Sequence, residues 1–143
     1  MHKVAFAGAK IALLLNDFVV TIRRDNTKGV WAAGKWDFPG GGREENETPL
    51  ACVSREAFEE LHIDLRHPDV TIVWEREYPA LHDPTRRGYF FVARIGPSVL
   101  KDARLGDEGS EWQLMRIDTF LQSTDAISGL QERLRDYFLE QTA

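Results

Sequence analysis

Gly41-Gly42-Arg43-Glu44-Glu45-Asn46-Glu47-Thr48-Pro49-Leu50-Ala51-Cys52-Val53-Ser54-Arg55-Glu56-Ala57-Phe58-Glu59-Glu60-Leu61-His62-Ile63 is a glycine loop running into a helix. Thr48 is a good N-cap, and Pro49 suits the first helical position. Leu50, Val53, Ala57 and Leu61 recur at helical spacing and predict the apolar face. Glu56 lies three residues from Glu59 and four from Glu60, so the three carboxylates can converge.

Such a cluster is a poor choice for a plain helix. Each like-charge pair at this spacing costs roughly 0.2–0.5 kcal/mol. Glu59 and Glu60 also lie near the helix C-terminus, where the macrodipole disfavours anions. A hard divalent cation with oxygen ligands offsets both penalties, and magnesium usually binds through carboxylates plus substrate phosphates.

The stretch resembles the signature of the Nudix hydrolases. That pattern reads Gly, five residues, Glu, seven residues, Arg-Glu, an aliphatic, any residue, Glu-Glu, any residue, Gly, an aliphatic. The chain supplies Gly41, Glu47, Arg55, Glu56, Ala57, Glu59, Glu60 and Ile63 at those spacings. With each fixed type expected at roughly one position in fifteen, the fixed matches arise by chance about once in ten million sites. Trp36-Asp37-Phe38-Pro39-Gly40-Gly41 looks like the strand and turn that enter the family's motif. One position departs: His62 stands where the second Gly is expected. A left-handed histidine there costs about 1–2 kcal/mol. The expectation is therefore that His62 continues the helix by one residue, where a protonated imidazole suits the negative end.

The outer limits come from composition. The 143 residues suit one domain, residues 1–143, with enough chain for a core. Hydrophobic residues at 43% and charged residues at 29% describe a globular chain. A formal net charge of −5 argues against a broad electrostatic footprint for duplex nucleic acid. It leaves a nucleotide open, since a bound metal inverts the local field. The single cysteine, Cys52, cannot form an internal disulfide, which fits a cytoplasmic setting. The apolar run at Val4 to Leu15 is too short to span a bilayer, so no membrane role is expected.

In order, the pattern predicts strands at Val4 to Leu15, Phe18 to Arg24 and Trp36 to Phe38, with a turn at Asn16-Asp17. The helix from Thr48 to Leu61 follows. Strands at Val70 to Leu81, Tyr89 to Ile95 and Glu111 to Ile117 come next, with Asp118 capping a short turn. The last helix is expected at Ala126 to Glu140, burying Ile127, Leu130, Leu134, Tyr137 and Phe138. Strand-rich with a central and a terminal helix, the chain is α+β. The resemblance implies more: a Nudix-like α/β/α sandwich around a mixed β-sheet.

The resemblance also assigns roles. Glu56, Glu59 and Glu60 match the family's metal-binding glutamates. Glu108, in Gly106-Asp107-Glu108-Gly109, resembles a loop that supplies a further acid in MutT-like members, with Glu111 in reserve. Glu56 and Glu108 are the candidates for the base, although close carboxylates titrate as a unit. Arg55 orients a neighbouring carboxylate and Glu47 braces the loop. Gly40 and Gly41 permit close approach of phosphate. One of Arg23 and Arg24 is expected to contact phosphate, and alternation sends only one inward. Arg23 is the choice. Trp36, Trp31, Tyr89 and Phe90 are the aromatics that could stack on a base, with Trp36 foremost, although core packing suits strand aromatics.

The implied activity is hydrolysis of the diphosphate bond in a nucleoside diphosphate linked to another group, with Mg2+ as cofactor and Mn2+ as its alternative. The size favours a MutT-like pyrophosphohydrolase that converts a nucleoside triphosphate to monophosphate and pyrophosphate. ADP-ribose, dinucleoside polyphosphates and capped RNA ends stay open as substrates, and a homodimer stays open as its assembly. The competing class is a nucleotide-binding regulator on the same fold; the intact glutamate set favours the enzyme.

Overall fold

In β1 (Gly8–Leu15), Ile11 and Leu13 face one core and Ala12 and Leu14 face another. β6 (Arg87–Ile95) divides the same way, Phe91 and Ala93 against Phe90 and Val92. A strand buried on both faces reads as a continuous apolar run rather than an alternation. Each fully buried Leu or Phe here is worth about 1.5–3 kcal/mol. These two strands lie side by side and parallel at the middle of the sheet, Gly8 opposite Gly88 through Leu14 opposite Arg94.

The computed structural model describes residues 5–142. The remaining elements are β2 (Phe18–Arg23), β3 (Trp36–Asp37), β4 (Gly40–Gly42), α1 (Pro49–Leu61), β5 (Val70–Pro79), β7 (Glu111–Arg116), α2 (Ile117–Gln122) and α3 (Ser128–Gln141). A 3-10 turn occupies Pro97–Leu100. The sheet order is β3-β2-β1-β6-β5, with β4 on β1 and β7 on β2. Cys52, Val53 and Leu61 of α1 join the first core. Phe120 of α2 and Leu130, Leu134 and Tyr137 of α3 join the second. The mixed sheet is thus sandwiched between helices, as the α+β expectation requires. Among the described residues, no helix is long and apolar enough to cross a membrane.

The sheet is split. β1 and β2 pair only near their hairpin, Leu14 with Val19 and Leu15 with Phe18. Asn16 makes that turn at φ 52°. Beyond it the strands part. β3 pairs with the end of β2 away from the hairpin, and β4 with the start of β1, likewise away from it. The Trp36–Gly42 segment therefore fills a wedge between two strands, and the Ile11 amide donates to the Pro39 carbonyl inside it at 2.9 Å.

Several expected boundaries move. β1 starts at Gly8, and Val4 lies outside the described residues. Asp118 sits in the first turn of α2, with Arg116 at the cap position. α3 starts at Ser128 because Ala126 is still bridged in parallel to Trp36 and the Ile127 amide donates to the Trp36 carbonyl. Leu50 is 45% exposed in the first turn of α1, and Cys52 takes its place on the buried face.

The expectation for His62 is overturned. Thr48 caps the start of α1 as expected, its hydroxyl accepting from the Ala51 amide at 3.1 Å. His62 ends the helix in the left-handed region, φ 56° and ψ 34°. Three contacts account for this. The Arg104 amide donates to the Leu61 carbonyl at 3.0 Å and the Gly106 amide to the Glu60 carbonyl at 2.8 Å. His62 Nδ1 hydrogen-bonds the Arg104 carbonyl at 3.2 Å. Ile63 is then fully buried in the first core, a position a continued helix would deny it. His62→Gly removes the Cβ strain, about 1–2 kcal/mol, and loses one exposed hydrogen bond worth about 0.5–1.5 kcal/mol. The expected result in urea unfolding is a stabilisation of about 0.5 kcal/mol. Destabilisation would show that the histidine ring, rather than the backbone shape, secures this exit.

Candidate active site

The glycine turn and α1 are fitted face to face. A Cβ at Gly41 would lie 2.6 Å from the Glu56 carboxyl carbon. Gly40, at φ 139°, donates its amide to Glu60 Oε1 at 2.8 Å. A side chain there would also strike the Ala9 carbonyl at 2.1 Å. Cys52 Sγ lies 3.5 Å from the Gly41 carbonyl, and burial pushes its thiol up to about 11. It is a packing residue, inert at neutral pH.

Arg55 is the hub of the acidic face. Nε and Nη2 donate to the two Glu47 carboxylate oxygens at 2.7 and 3.0 Å. Nη1 donates to Glu56 Oε1 at 2.8 Å and to Glu59 Oε2 at 3.2 Å. Nη2 also donates to the Gly42 carbonyl at 2.8 Å. The Arg55 guanidinium holds the Glu47 carboxyl below its ordinary range, and these carboxylates hold Arg55 above its own.

Glu60 turns away from this hub. Burial pushes its carboxyl up to about 8, against the opposing pull of Lys10 and the Gly40 amide. Asp37 and Glu56 push it further up. Hence the three helix carboxylates do not meet at one point: two share Arg55, and the third faces the glycine turn. Among the described residues, no three His, Cys, Asp or Glu side chains form a ready-made metal cage. They do line one groove. Glu56, Glu59, Glu60 and Glu108 border a cleft of about 490 Å3. These hard oxygen donors, one of them the half-buried Glu60 carboxylate, suit a divalent cation such as magnesium.

Lys10 and Asp37 complete the site and had no role from sequence. Lys10 Nζ contacts Asp37 Oδ2 at 2.9 Å and donates to the Gly40 carbonyl at 3.1 Å. Asp37 also accepts from the Phe38 amide at 2.7 Å and from Arg24 Nη1 at 3.4 Å. The available signal was a lysine inside an otherwise apolar strand, Gly8 to Leu15.

The arginine choice shifts. Arg23 spends Nε on the Gly34 carbonyl at 2.9 Å and lies 3.7 Å from Glu111. It still borders a second cleft of about 280 Å3, together with Arg24, Asp37, Glu60 and Glu108. Arg24 alone reaches onward, into a third cleft of about 260 Å3 beside Lys10 and Gly41. Glu111, the reserve acid, faces Arg23 and lines none of the three. Trp36 is 7% exposed in the second core and lines no cleft, which removes the structural basis for placing it against a base. Its two-residue strand is wedged between β2 and the start of α3, and its backbone bonds both ways. Phe90 is also fully buried, whereas Trp31 and Tyr89 line the third cleft.

Comparison with known proteins bears on the family and the fold. The family model described as the NUDIX domain matches residues 6–137. An 8-oxo-dGTP diphosphatase of Proteus vulgaris is 39% identical over 49 residues, which are 34% of this chain and 44% of that protein. The match thus spans less than half of that relative's length. A MutT protein from Methanosarcina mazei Go1 superposes with a TM-score of 0.73 at 20% identity, 100% of each chain being covered. A bifunctional NMN adenylyltransferase/ADP ribose pyrophosphatase from Francisella tularensis, complexed with AMP and a manganese ion, gives 0.66 at 20% identity. That superposition covers 99% of this chain and 43% of the other. At such identities the two structures speak for the fold alone. The sequence match extends over nearly the whole chain and contains the glycine turn, α1 and its carboxylates, and on that basis the protein belongs to the Nudix hydrolase family.

Proposed function

We propose that this chain is a metal-dependent hydrolase of nucleoside diphosphates linked to another group, and that its substrate is a nucleoside triphosphate, split to monophosphate and pyrophosphate. The observation that carries this reading is the run of clefts from the carboxylates Glu56, Glu59, Glu60 and Glu108 to the cations Arg24 and Lys10. Acid at one end and base at the other suits a charged chain of phosphates held beside a cation site.

Glu56 and Glu60 would hold the metal from the helix side, with Glu59 and Glu108 on the open side of the groove. Bound there, magnesium, or manganese in its place, would neutralise phosphate charge and lower the pKa of a water. The chain does the rest. Arg55 fixes Glu56 against the glycine turn, and Gly40 and Gly41 let phosphate approach the backbone. Arg24 and Lys10 receive phosphate oxygens, with Arg23 at the edge. Glu56 or Glu108 takes the proton of the attacking water. The relatives named above include an 8-oxo-dGTP diphosphatase and an ADP ribose pyrophosphatase, so the triphosphate is the narrower part of the proposal. A cytoplasmic enzyme fits the single, buried cysteine.

The test is a panel of nucleoside triphosphates, ADP-ribose and dinucleoside polyphosphates, assayed for every phosphate-bearing product. Release of pyrophosphate and monophosphate, an alkaline-leaning optimum and loss of turnover in chelator are expected. Full turnover in excess chelator would overturn the mechanism. Turnover of ADP-ribose alone would overturn the substrate.

A further inference from the structure

Arg133 is a buried cation with no carboxylate. It is 5% exposed, and among the described residues no acidic side chain pairs with it. Charged side chains are almost never buried this far unless paired. Its Nη2 donates to the Pro79 carbonyl at 2.6 Å, and its guanidinium carbon lies 4.6 Å from the centre of the Tyr78 ring. The other N–H donors have no protein acceptor among the described residues. No side-chain nitrogen sealed from solvent lacks a partner there. What exposure the guanidinium keeps therefore opens on the cleft of about 260 Å3 that Arg133 lines.

That cleft has two unlike ends. Lys10 and Arg24 stand at the end next to the glycine turn and the carboxylates. Arg133 stands beside Gly88, Ala80 and Tyr89, with Trp31 also on the wall. Small residues leave room for a flat group beside the Tyr89 ring, while Trp31 is already covered by the Arg24 guanidinium, 5.3 Å from its ring centre. One guanidinium among such neighbours suits a neutral edge with acceptors better than a second phosphate, which needs more cations and water. A guanidinium carries donors only. Guanine offers it two adjacent acceptors, O6 and N7, whereas adenine sets an amine donor in the place of O6.

We propose that Arg133 is a specificity-determining residue, reading the O6 and N7 acceptors of a guanine-type purine whose phosphates point toward Lys10 and Arg24. This rests on the hydrolase reading given above, and the experiment separates the two. The wild-type protein, with magnesium, is assayed on GTP, ITP, ATP and 7-deaza-GTP. ITP keeps both acceptors and should match GTP in kcat/KM. ATP should fall by about 5- to 150-fold, the range for one bidentate contact, and 7-deaza-GTP, which lacks N7 as an acceptor, should fall too. An 8-oxoguanine nucleotide carries hydrogen on N7 and should also fall below its unoxidised counterpart. Arg133→Gln should move the GTP-to-ATP ratio toward adenine, because a glutamine amide pairs with N6 and N7 of adenine. A merely structural arginine would lower all substrates by a common factor and leave that ratio alone. Equal turnover of all four nucleotides, or a ratio unmoved in Arg133→Gln, overturns the inference and leaves the hydrolase standing. If no nucleotide is hydrolysed, the hydrolase reading falls. Equilibrium binding of GDP against ADP then decides the inference, with equal affinity counting against it.

Discussion

Glu60→Gln is expected to stabilise the metal-free protein by an amount that grows with pH. The folded-state carboxyl is pushed from 4.5 up to about 8, chiefly by burial. Below 4.5 both folded and unfolded chains hold the proton, and Glu60 contributes nothing. Between 4.5 and 8 the folded chain keeps a proton that the unfolded chain has released, so stability falls as pH rises. Above about 8 the full cost is present and the profile is flat. Linkage sets that cost at no more than about 5 kcal/mol, less where water reaches the carboxyl. Glutamine keeps an oxygen for the Gly40 amide and carries no charge. A gain of about 2 kcal/mol at pH 9, shrinking to nothing near pH 4.5, is the expected result in chelator. Magnesium should reverse the order once it is near a hundred times its dissociation constant, where binding stabilises the wild type by about 2.7 kcal/mol. The measurement is urea unfolding of both proteins across pH, with and without magnesium. Parallel pH profiles would show that Glu60 is solvated and that its place in the metal set is wrong. The same experiment at Glu59 should show much less, since Glu59 is exposed and already paired with Arg55.

Arg55→Ala should be the most damaging single change in the site. It leaves Glu47 and Glu56, both mostly buried, without their cation and frees the Gly42 carbonyl. Breaking a fully buried pair costs about 3–5 kcal/mol, and here, with partial exposure, about 2–3 kcal/mol. Turnover should fall about a hundredfold or more, because Glu56 loses the contact that fixes it and small misplacements are costly. Arg55→Lys should recover part of the stability but little turnover. A lysine is a point charge and cannot span Glu47, Glu56 and the Gly42 carbonyl together. Thermal unfolding and kcat for the three proteins check this. A wild-type melting point and rate in Arg55→Ala would mean that the carboxylates hold their places unaided.

Local chemistry was legible in the sequence, and long-range partnership was not. The helix, its Thr48 cap and its acidic face follow from spacing and propensity within a dozen residues. Glu108 could be singled out only because a family pattern pointed to its loop. His62 went wrong because its conformation is decided by Arg104 and Gly106, which satisfy the helix carbonyls from far along the chain. Lys10 and Asp37 form one pair across 27 positions, and no periodicity links a lysine in one strand to an aspartate in another. Alternation could say only that one of Arg23 and Arg24 points inward, it stops being a guide where β2 ends, and Arg24 is the one that reaches Asp37. Trp36 looked available because a two-residue strand gives no pattern from which burial can be read.

The parallel pairing of β1 with β6 also governs how this chain reaches its fold. Gly8 meets Gly88 and Leu14 meets Arg94, so the middle of the sheet cannot close until most of the chain is present. Loop closure over such separations is entropically costly and is rewarded only when the pairing forms, which slows folding. Until then two strands that are apolar on both faces wait without their central neighbour, and a collapsed intermediate would display them to other chains. The α1 helix and its glycine turn are nearly local and can form early, whereas the strand they rest on is completed late. Aggregation during refolding should therefore compete with the joining of β1 to β6, and it should depend on protein concentration far more than activity of the folded protein does.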